Sequence, residues 1–539
     1  MKPKNLQWVF TIEVVILQIT FLLTEVSAQT ATLKGTVTDS ASAAMLAGAN
    51  IAVTSEAVKT GAATSSTGTF EVINLPAGRY TVTVTYIGYE KQVLPDLALA
   101  AGETKSLKIS LVPTGVKFNP VTVTASRRPE KLLEAPAAIT VLDAREIEAR
   151  PALAPSEHLK ALPAVDFAQT GLNQSRIVVR GFNSSFSSRL LALVDNRIAR
   201  VPSLRVNLYN FIPTSNEDVE RIEVVSGPGS ALYGPNSAGG VMHILTKSPF
   251  GSEGTRVSVG GGEQGLFMTN VRHAGSYHAK IGYKISVRYY QGNDFKFSDP
   301  AEVAAREAAI NAGADPNNLK IGARDFDVEN IAVDGRLDFR LAPDLSLILN
   351  GGITQVNNIE LTTIGSAQAI DWTYHYLQGR MRYKDLFVQT FLNRSDAGDT
   401  YILRTGEPII DNSSLFVAQA QHSLTLGSQQ RFTYGLDLLL TRPDTKGTIH
   451  GGYEDEDDLN EFGAYLQSDT ELSSKLKFVA AARIDKHNRI EDLTFSPRMA
   501  LVFKPTATDH FRLTYNRAFS TPRTSQLFGD IISGNDKFG

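Results

Sequence analysis

Residue patterns that could support catalysis are scarce in this 539-residue sequence. None of its nine histidines lies in the HExxH or HxxE arrangement of a catalytic zinc site, and no GxSxG nucleophile elbow is present. The chain contains no cysteine, which excludes thiol catalysis, disulfide bonds and cysteine-ligated zinc. We therefore predict a protein that is not an enzyme and has no resident metal or cofactor.

The most unusual segment runs from Glu217 to Lys247, where five glycines crowd into fourteen residues. Such density indicates left-handed turns or a backbone that closely approaches another surface. Apolar strands are predicted on both sides, over residues 219–225 and 241–246. No GK[ST] or GxGxxG sequence leads into a helix here, so a nucleotide-binding loop is not expected.

Residues 454–458 form an acidic cluster with the sequence Glu-Asp-Glu-Asp-Asp. The cluster could bind a cation or a basic ligand. Runs of like charge more commonly form the solvated face of a loop, and we favour that interpretation.

The net charge and the N-terminal residues bear on the partners and the cellular location of the protein. Its 53 basic and 56 acidic residues give a net charge of -3, which argues against a nucleic-acid partner. Lys2 and Lys4, an apolar run over residues 8–23 and the small residues Val26-Ser27-Ala28 predict an export signal over residues 1–28. A membrane-anchor helix is the alternative, but this run is short for crossing a bilayer. No comparable run follows, so no second transmembrane helix is predicted.

Residues 31–112 show short strand patterns separated by glycine and proline turns. Strands are predicted over residues 32–39, 49–54, 69–73, 80–86 and 105–111. They predict a β-sandwich of the immunoglobulin or transthyretin type. The phrases Gly35-Thr36-Val37-Thr38-Asp39, Leu75 to Tyr80 and Gly88-Tyr89 resemble the carboxypeptidase-regulatory-like domain.

A linker over residues 113–126 and a mixed α+β domain over residues 127–249 are predicted next. In the second of these we expect helices over residues 144–149 and 156–161, bounded by prolines. We expect strands over residues 176–180, 190–195, 219–225 and 241–246.

From residue 250 onward, strands of about ten residues alternate apolar and polar side chains. Ile281, Tyr283 and Ile285, for example, alternate with Lys284 and Ser286. A transmembrane β-barrel with lipid outside and a polar lumen needs this pattern. A soluble antiparallel sheet that packs its apolar face on a core would show it as well. The export signal, the aromatic strand residues and the absence of cysteine favour the membrane.

About thirteen strands are predicted between residues 252 and 520, with the alanine-rich stretch 301–320 as an extracellular loop containing some helix. Bacterial single-chain barrels have even strand numbers, so we predict that residues 250–539 form part of a barrel in a truncated sequence. The fold class is thus mainly β: a sandwich, an α+β domain and an antiparallel transmembrane barrel.

Two segments of the α+β domain resemble the plug domain of TonB-dependent outer-membrane receptors: Glu217 to Lys247 and Arg176 to Ile198. The phrases Tyr465-Leu466-Gln467, Phe495 to Arg498 and Tyr515 to Pro522 resemble barrel phrases of that family. The plug-motif residues identified by this resemblance are Arg180, Gly181, Phe182, Asp195, Glu223, Gly227, Gly229, Tyr233, Gly234, Gly239 and Gly240.

Two positions depart from the family pattern. Asn196 stands where glycine is usual; because asparagine tolerates a positive φ, the turn there should survive. His243 stands where asparagine is usual, and we expect a packed, hydrogen-bonded histidine rather than a ligand.

The resemblance implies a 22-stranded barrel around the plug, in the outer membrane of a Gram-negative bacterium. It also implies a short TonB box ahead of the plug, which pairs as an added strand with TonB of the energising complex. The candidate box is Val121, Thr122, Val123, Thr124 and Ala125, although an ordinary plug strand would look the same. Candidate ligand contacts on the plug are Asn183, Ser184, Ser185 and Phe186.

The function that this resemblance implies is TonB-powered import of a scarce nutrient such as siderophore-bound iron, cobalamin or a glycan. The implied partners are TonB, the small nutrient, outer-membrane lipid and a surface or periplasmic partner of the first domain. A passive or adhesive barrel without TonB coupling is the alternative. An enzyme, suggested only by the first domain, is the third hypothesis.

Overall fold

The computed structural model describes residues 30–40, 43–86, 89, 91–112, 121–122, 130–131, 135–183, 189–362, 364–506, 509–533 and 536–538. They belong to two units, residues 1–120 and 121–539. The predicted export signal lies outside the described residues, as does most of the predicted linker.

The first unit is a β-sandwich. Its described strands are β1 (Ala31–Asp39), β2 (Asn50–Thr54), β3 (Lys59–Ala63), β4 (Thr69–Leu75), β5 (Gly78–Thr85), β6 (Gln92–Leu99) and β7 (Thr104–Leu111). One sheet has the order β4-β1-β7 and the other the order β3-β2-β5-β6. Only β1 and β7 pair in parallel among these strands. Leu33, Ile51, Val82 and Leu111 are buried between the sheets.

All five strands predicted for this unit are present, but the sequence did not indicate β3 and β6. Four of the five residues of β3 are exposed, so it shows no alternation. Strand β6 contains Pro95, which lacks a backbone donor and is tolerated because β6 is an edge strand. Neither strand therefore carries a strong sequence signal.

The second unit begins with a mixed α+β domain. Its strands are β8 (Val121–Thr122), β9 (Glu130–Lys131), β10 (Ala138–Asp143), β11 (Val165–Gln169), β12 (Ser175–Val179), β13 (Leu190–Val194), β14 (Arg197–Ile198), β15 (Val219–Ser226) and β16 (Gly240–Thr246). Its helices are α1 (Ala144–Glu148) and α2 (Ser230–Tyr233), with 3-10 turns at Pro155–Ala161, Tyr209–Phe211, Asn216–Asp218 and Pro249–Gly251. The central sheet has the order β10-β15-β16-β13-β14, and β11 pairs with β12.

Local sequence explains why one of the two helices predicted for this domain forms and the other does not. Asp143 caps α1, because its carboxylate accepts from the backbone amides of Arg145 and Glu146 at 2.9 and 3.1 Å. The Glu146 carboxylate accepts from the Asp143 amide at 3.1 Å, which completes a capping box. The segment predicted as a helix over residues 156–161 is a 3-10 turn instead. Prolines at 155 and 163 leave too few residues there for a stable α-helix.

Most residues from 254 to 516 form one large antiparallel sheet. Its strands are β17 (Gly254–Gly261), β18 (Phe267–Tyr277), β19 (Ile281–Asn293), β20 (Asp327–Ala342), β21 (Leu345–Leu361), β22 (Ser366–Tyr383), β23 (Leu386–Asp396), β24 (Tyr401–Ile402), β25 (Ser414–Leu426), β26 (Gln430–Arg442), β27 (Leu459–Ser473), β28 (Leu476–His487), β29 (Thr494–Phe503) and β30 (Phe511–Asn516). Helix α3 (Pro300–Asn311) lies between β19 and β20, a 3-10 turn spans Gly451–Glu456, and α4 (Thr524–Phe528) and the hairpin of β31 (Ile531–Ser533) and β32 (Asp536–Phe538) follow β30.

Thirteen of these strands pair with their chain neighbours from β17 to β30, and the short β24 pairs with β22. The sheet thus has fourteen strands, one more than the roughly thirteen predicted, because the two-residue β24 has no sequence signal of its own. Among the described residues β17 and β30 do not pair with each other. The prediction that the sequence is truncated stays a prediction.

The burial of the large sheet is the reverse of that of a soluble protein. On β19, Ile281, Tyr283 and Ile285 are 39%, 43% and 48% exposed, whereas Lys284 and Arg288 are both 3% exposed. The apolar face therefore points outward and the polar face packs against the mixed domain. This is the arrangement of a membrane barrel, and it excludes a soluble sheet with an apolar core.

The two ends of the sheet differ in their connections. At one end most strands are joined by turns of two or three residues, such as 343–344 and 384–385. At the other end the connections include the long segments 294–326, 397–413 and 443–458. Outer-membrane barrels have short periplasmic turns and long extracellular loops. We therefore assign the second end, called the loop end below, to the cell exterior.

Within the described residues, no helix combines the length and apolar character that a membrane-crossing helix requires.

Candidate functional site

The mixed domain is fixed inside the polar face of the sheet through a tight turn between β13 and β14. Asp195 and Asn196 have φ values of 48° and 72°, as a two-residue hairpin turn of the left-handed type needs. The turn thus forms with asparagine in place of glycine. The Asn196 carbonyl accepts from Gln389 Nε2 of β23 at 3.0 Å, which connects the turn to the barrel wall.

The Asp195 carboxylate is the centre of a buried charge cluster. It accepts from the Thr246 amide at 3.0 Å and from Thr246 Oγ1 at 2.7 Å. Arg336 of β20 and Arg380 of β22 each approach it to 3.3 Å. Burial alone would raise the pKa of Asp195, but Arg380 and Arg336 hold that pKa well below its usual range. The ionised carboxylate therefore ties the domain to two barrel strands.

Three further buried ion pairs connect the domain to other parts of the barrel. Asp218 accepts from Arg272 Nε of β18 at 2.7 Å and from Lys284 Nζ of β19 at 2.6 Å. Arg205 pairs with Glu461 of β27. All of these side chains are at most 8% exposed. These charge-assisted contacts hold the domain to strands β18, β19 and β27.

The glycine-dense segment lies between β15 and β16 and provides close backbone approaches. A Cβ atom on Gly239 would lie 2.7 Å from the Val179 carbonyl, and one on Gly240 would lie 2.2 Å from the Val225 carbonyl. A Cβ atom on Gly234 would meet the Arg483 guanidinium of β28 at 2.8 Å. Two of these glycines thus allow packing within the domain, and the third allows packing against the barrel.

The other predicted motif residues occupy less uniform positions. The Arg180 guanidinium lies against Gly227, and Gly181 is the next residue in the chain after Arg180. Gly229 packs against the Ser237 side chain. Phe182 is 92% exposed.

Two motif residues belong to the β15–α2 region. Glu223 is buried in β15 and accepts from Arg221 Nε at 2.8 Å. Tyr233 ends α2 and packs against the apolar cluster around Val225 and Val241.

Of the four candidate ligand contacts, the structure describes only Asn183. Its side chain donates to the carbonyls of Asp166 and Arg176 at 3.4 and 3.1 Å, and so stabilises the β11–β12 hairpin. Ser184, Ser185 and Phe186 lie outside the described residues.

The candidate TonB box is described only at its start. Val121 pairs with Lys131 and Thr122 with Glu130, as β8 and β9. Val123, Thr124 and Ala125 lie outside the described residues, so the box stays a prediction.

His243 is a packed residue, as expected. It is 1% exposed, and its Nε2 atom accepts from the Asn196 amide at 3.1 Å, which stabilises the turn that holds Asp195. Burial lowers the pKa of His243 to about 4, so the ring is neutral at pH 7.

This burial predicts that the mixed domain is less stable in acid. Because the folded pKa lies below the unfolded value of 6.5, the stabilisation is complete above pH 6.5 and is lost as the pH falls toward 4. We expect the domain to lose about 2 to 3 kcal/mol between pH 7.5 and 4.5 through this residue, at 1.36 kcal/mol per pH unit. The replacement His243→Asn should remove that part of the pH dependence. Urea unfolding of both proteins at the two pH values measures this difference. An equal change in the free energy of unfolding between pH 7.5 and 4.5 in the two proteins would contradict the assignment.

A cavity of about 890 Å³ opens at the loop end, above the mixed domain. Leu204 and Leu208 form its floor, and residues of the long loops and of β21 and β22 form its walls, including Ile321, Trp372 and Ile409. Asn183 does not line it. The sequence did not indicate this cavity, because its lining residues come from segments more than 300 residues apart and follow no motif.

The acidic cluster at residues 454–458 lies beside this end of the sheet. The Glu454 carboxylate accepts from the amides of Thr445, Lys446 and Gly447 and from the Thr445 hydroxyl. Asp457 pairs with His450 Nδ1 at 2.5 Å. The Glu454, His450 and Asp457 ligand atoms lie within 4.8 Å of one another, but the first already has four donors from its own loop. Asp455, Glu456 and Asp458 are exposed, as expected of the solvated face of a loop, whereas Asp457 is buried and helps to stabilise the loop.

An inside-out antiparallel sheet, filled by a separate domain and bearing a cavity at its loop end, defines the class of plugged outer-membrane β-barrels. Three family models match this chain: the carboxypeptidase regulatory-like domain over residues 32–112, the TonB-dependent receptor plug domain over residues 131–241, and the TonB-dependent receptor-like β-barrel over residues 274–538. The chain belongs to the TonB-dependent receptors of the outer membrane. We refer to the mixed domain as the plug from here on.

Curated relatives are transporters and receptors. The vitamin B12 transporter BtuB of Vibrio vulnificus is 26% identical over 416 residues, which are 76% of this chain and 64% of the relative. The ferric enterobactin receptor of Pseudomonas aeruginosa is 24% identical over 487 residues, covering 77% of this chain and 63% of the relative. The chain thus spans less than two thirds of the length of both.

Solved structures share the fold. The ferric enterobactin receptor PfeA in complex with BCV-L6 matches with a TM-score of 0.53 at 19% identity, over 73% of this chain and 64% of that one.

Proposed function

We propose that this protein imports a scarce nutrient across the outer membrane and that TonB powers the import. The observation that carries this proposal is a plug fixed in the polar face of the barrel sheet by buried ion pairs, below a cavity at the loop end. A ligand entering the cavity from outside would touch the plug directly at Leu204 and Leu208. Relatives that transport vitamin B12 or bind ferric enterobactin support the same function.

The plug sheet offers a route for mechanical coupling. Strand β10 follows the candidate TonB box and is an edge strand of the central plug sheet. Within the part of the chain that the structure describes it pairs with β15 alone, through residues 138–143 and 226–221. An edge strand can be removed without breaking other strand pairs. A pull on the chain before Ala135 would first load the carbonyls of residues 135–137, which accept from Arg498 and Arg512 of the barrel, and would then load β10 and open the plug from that edge.

The domain limits in this proposal are an export signal over residues 1–28, a regulatory-like sandwich over 31–112, a linker with the TonB box over 113–126, the plug over 127–249 and the barrel over 250–539. A surface or periplasmic partner of the sandwich belongs to the same proposal. The family consists of transporters, and we keep the prediction that the chain is not an enzyme.

Deleting Val121 to Ala125 should abolish uptake and leave ligand binding intact, because these residues touch TonB and not the nutrient. Growth of a strain lacking the gene on single iron, cobalamin and glycan sources first identifies the nutrient. Uptake of its radiolabelled form, and its binding to whole cells, are then measured with the deletion variant.

Deleting residues 114–118 is the matched control, because it shortens the same segment by five residues and keeps the box. Uptake that persists without residues 121–125 would favour a passive or adhesive barrel.

A further inference from the structure

We propose that the loop-end cavity takes a ligand without net charge and with a large apolar surface, rather than a polyanionic chelate. The proposal rests on the receptor function proposed above and specifies the ligand class. It depends on three observations about the cavity: its lining, its charge balance and the partners of the nearby cations.

The lining is mainly apolar. Leu204 and Leu208 of the plug face Ile321, Ile364, Ile402 and Ile409 of the loops. Two small residues of α3, Ala305 and Ala308, line the wall on that side and leave room there. Binding of an apolar surface to such a lining is favourable, because it displaces water from apolar groups.

The charges on the described lining cancel. Four lining residues are ionisable: Arg404, Arg523, Glu360 and Glu407. Two are basic and two are acidic, so the formal charges of these four residues sum to zero. Glu360 is 6% exposed and accepts from Asn210 Nδ2 and Asn358 Nδ2 at 2.8 and 3.0 Å.

Three cations at or near the cavity already have partners within the chain. Arg404 Nη2 lies 3.3 Å from Asp299 at the start of α3. Arg324 forms a bidentate contact with Glu302 at 2.7 and 2.9 Å. The Lys320 ammonium lies 4.9 Å from the centre of the Tyr401 ring. A polyanion would have to compete with these partners for contact with any of the three.

These observations decide between the two ligand classes. A trianionic chelate loses the hydration of three charges on entering, and arginine clusters normally compensate that loss in an apolar site. Here no net positive charge compensates it, and Glu407 would repel the chelate. A neutral ligand has no such penalty and gains from the apolar walls.

Trp372 makes the test direct. The sequence has two tryptophans, Trp8 in the predicted export signal and Trp372 in the cavity wall. Trp372 Nε1 donates to Ser395 Oγ at 2.9 Å, and the ring meets Phe211 of the plug edge-on. The fluorescence of the chain after signal removal therefore reports on this cavity.

The experiment uses the full chain purified from outer membranes and two gallium(III) complexes that differ in charge, a neutral tris-hydroxamate and a trianionic tris-catecholate. A neutral corrinoid serves as a second neutral probe. Equilibrium dialysis gives the affinities and Trp372 fluorescence locates the binding. We expect at least one neutral probe to bind at least tenfold more tightly than the catecholate and to change Trp372 fluorescence.

A charge variant tests whether the charge of the cavity wall causes the preference for neutral ligands. Glu407 is exposed, so Glu407→Lys should preserve the fold while giving the cavity wall two positive charges in excess. Catecholate affinity should then rise at least tenfold, and the affinity for the neutral probes should change less than twofold. Glu263→Lys, on an exposed loop residue away from the cavity, is the matched control and should change neither affinity.

Tighter binding of the catecholate to the unaltered protein would overturn the inference, as would failure of all three probes to bind or an unchanged catecholate affinity in Glu407→Lys. Each result leaves the proposed function to its own test. Uptake of a charged nutrient that still requires residues 121–125 would keep the receptor function and reject only the neutral ligand.

Discussion

Replacing Asp195 by alanine is expected to destabilise the docked plug by about 3 to 5 kcal/mol, because the change leaves buried positive charge without its counter-ion. Arg336 keeps its bidentate contact with Asp338 at 2.5 and 2.7 Å. Arg380 has no such second carboxylate contact among its described hydrogen bonds and retains Asn350 and the Asp195 carbonyl. The largest loss should therefore arise at β22.

The measurement combines urea unfolding of the plug with a permeability assay. A plug that leaves its position opens the polar lumen, so cells should become sensitive to a large hydrophilic antibiotic that intact outer membranes exclude. The double variant Asp195→Ala with Arg380→Ala should recover part of the stability, because the unpaired charge is removed too. A loss below about 1 kcal/mol for Asp195→Ala alone would contradict the role given to the cluster.

The same cluster should be insensitive to pH near neutrality. The pKa of Asp195 lies well below its unfolded value, so the stabilisation it provides is complete above about pH 4 and is lost only as the pH falls further. The destabilisation by Asp195→Ala should therefore be equal at pH 6 and pH 8. His243 contributes instead to the acid response between pH 6.5 and 4.

How far the sequence predicts this fold depends on which residues carry the signal. Alternation along β19 predicted the strand correctly, because side-chain direction has a period of two residues whatever lies on either side. Alternation could not say which face was buried. The exposure of Ile281 and the burial of Lys284 answer that question, since they place lipid rather than a core against the apolar face.

The plug contacts show a second limit. Resemblance to the family identified Asp195, but its partners Arg336 and Arg380 appeared in the sequence only as polar members of alternating strands. Which arginine meets which carboxylate depends on strand register and on the position of the plug, and neither has a local sequence signal.

The cavity was not predicted for the same reason. Leu204 and Trp372 are ordinary apolar residues in their own segments, and only the packed structure brings them to one wall.

Replacing Gly240 by alanine should disrupt the plug, since it affects the strand on which the central sheet depends. Strand β16 lies between β15 and β13, and Gly240 pairs with Ser226 on one side and Leu190 on the other. Its φ of 150° is one that residues with a side chain rarely adopt, and a Cβ atom would lie 2.2 Å from the Val225 carbonyl. Backbone strain and overpacking together should cost about 3 to 5 kcal/mol.

Gly251→Ala is the matched control, because a Cβ atom on Gly251 meets nothing within 4 Å and its φ is not positive. Trypsin resistance and amide hydrogen exchange over residues 219–226 and 240–246 should fall in Gly240→Ala and stay unchanged in the control. The barrel strands should remain protected in both variants, because their hydrogen bonds form between neighbouring strands of their own sheet. Equal protection of the plug in the two variants would mean that the glycine-dense segment has another purpose than close packing at β16.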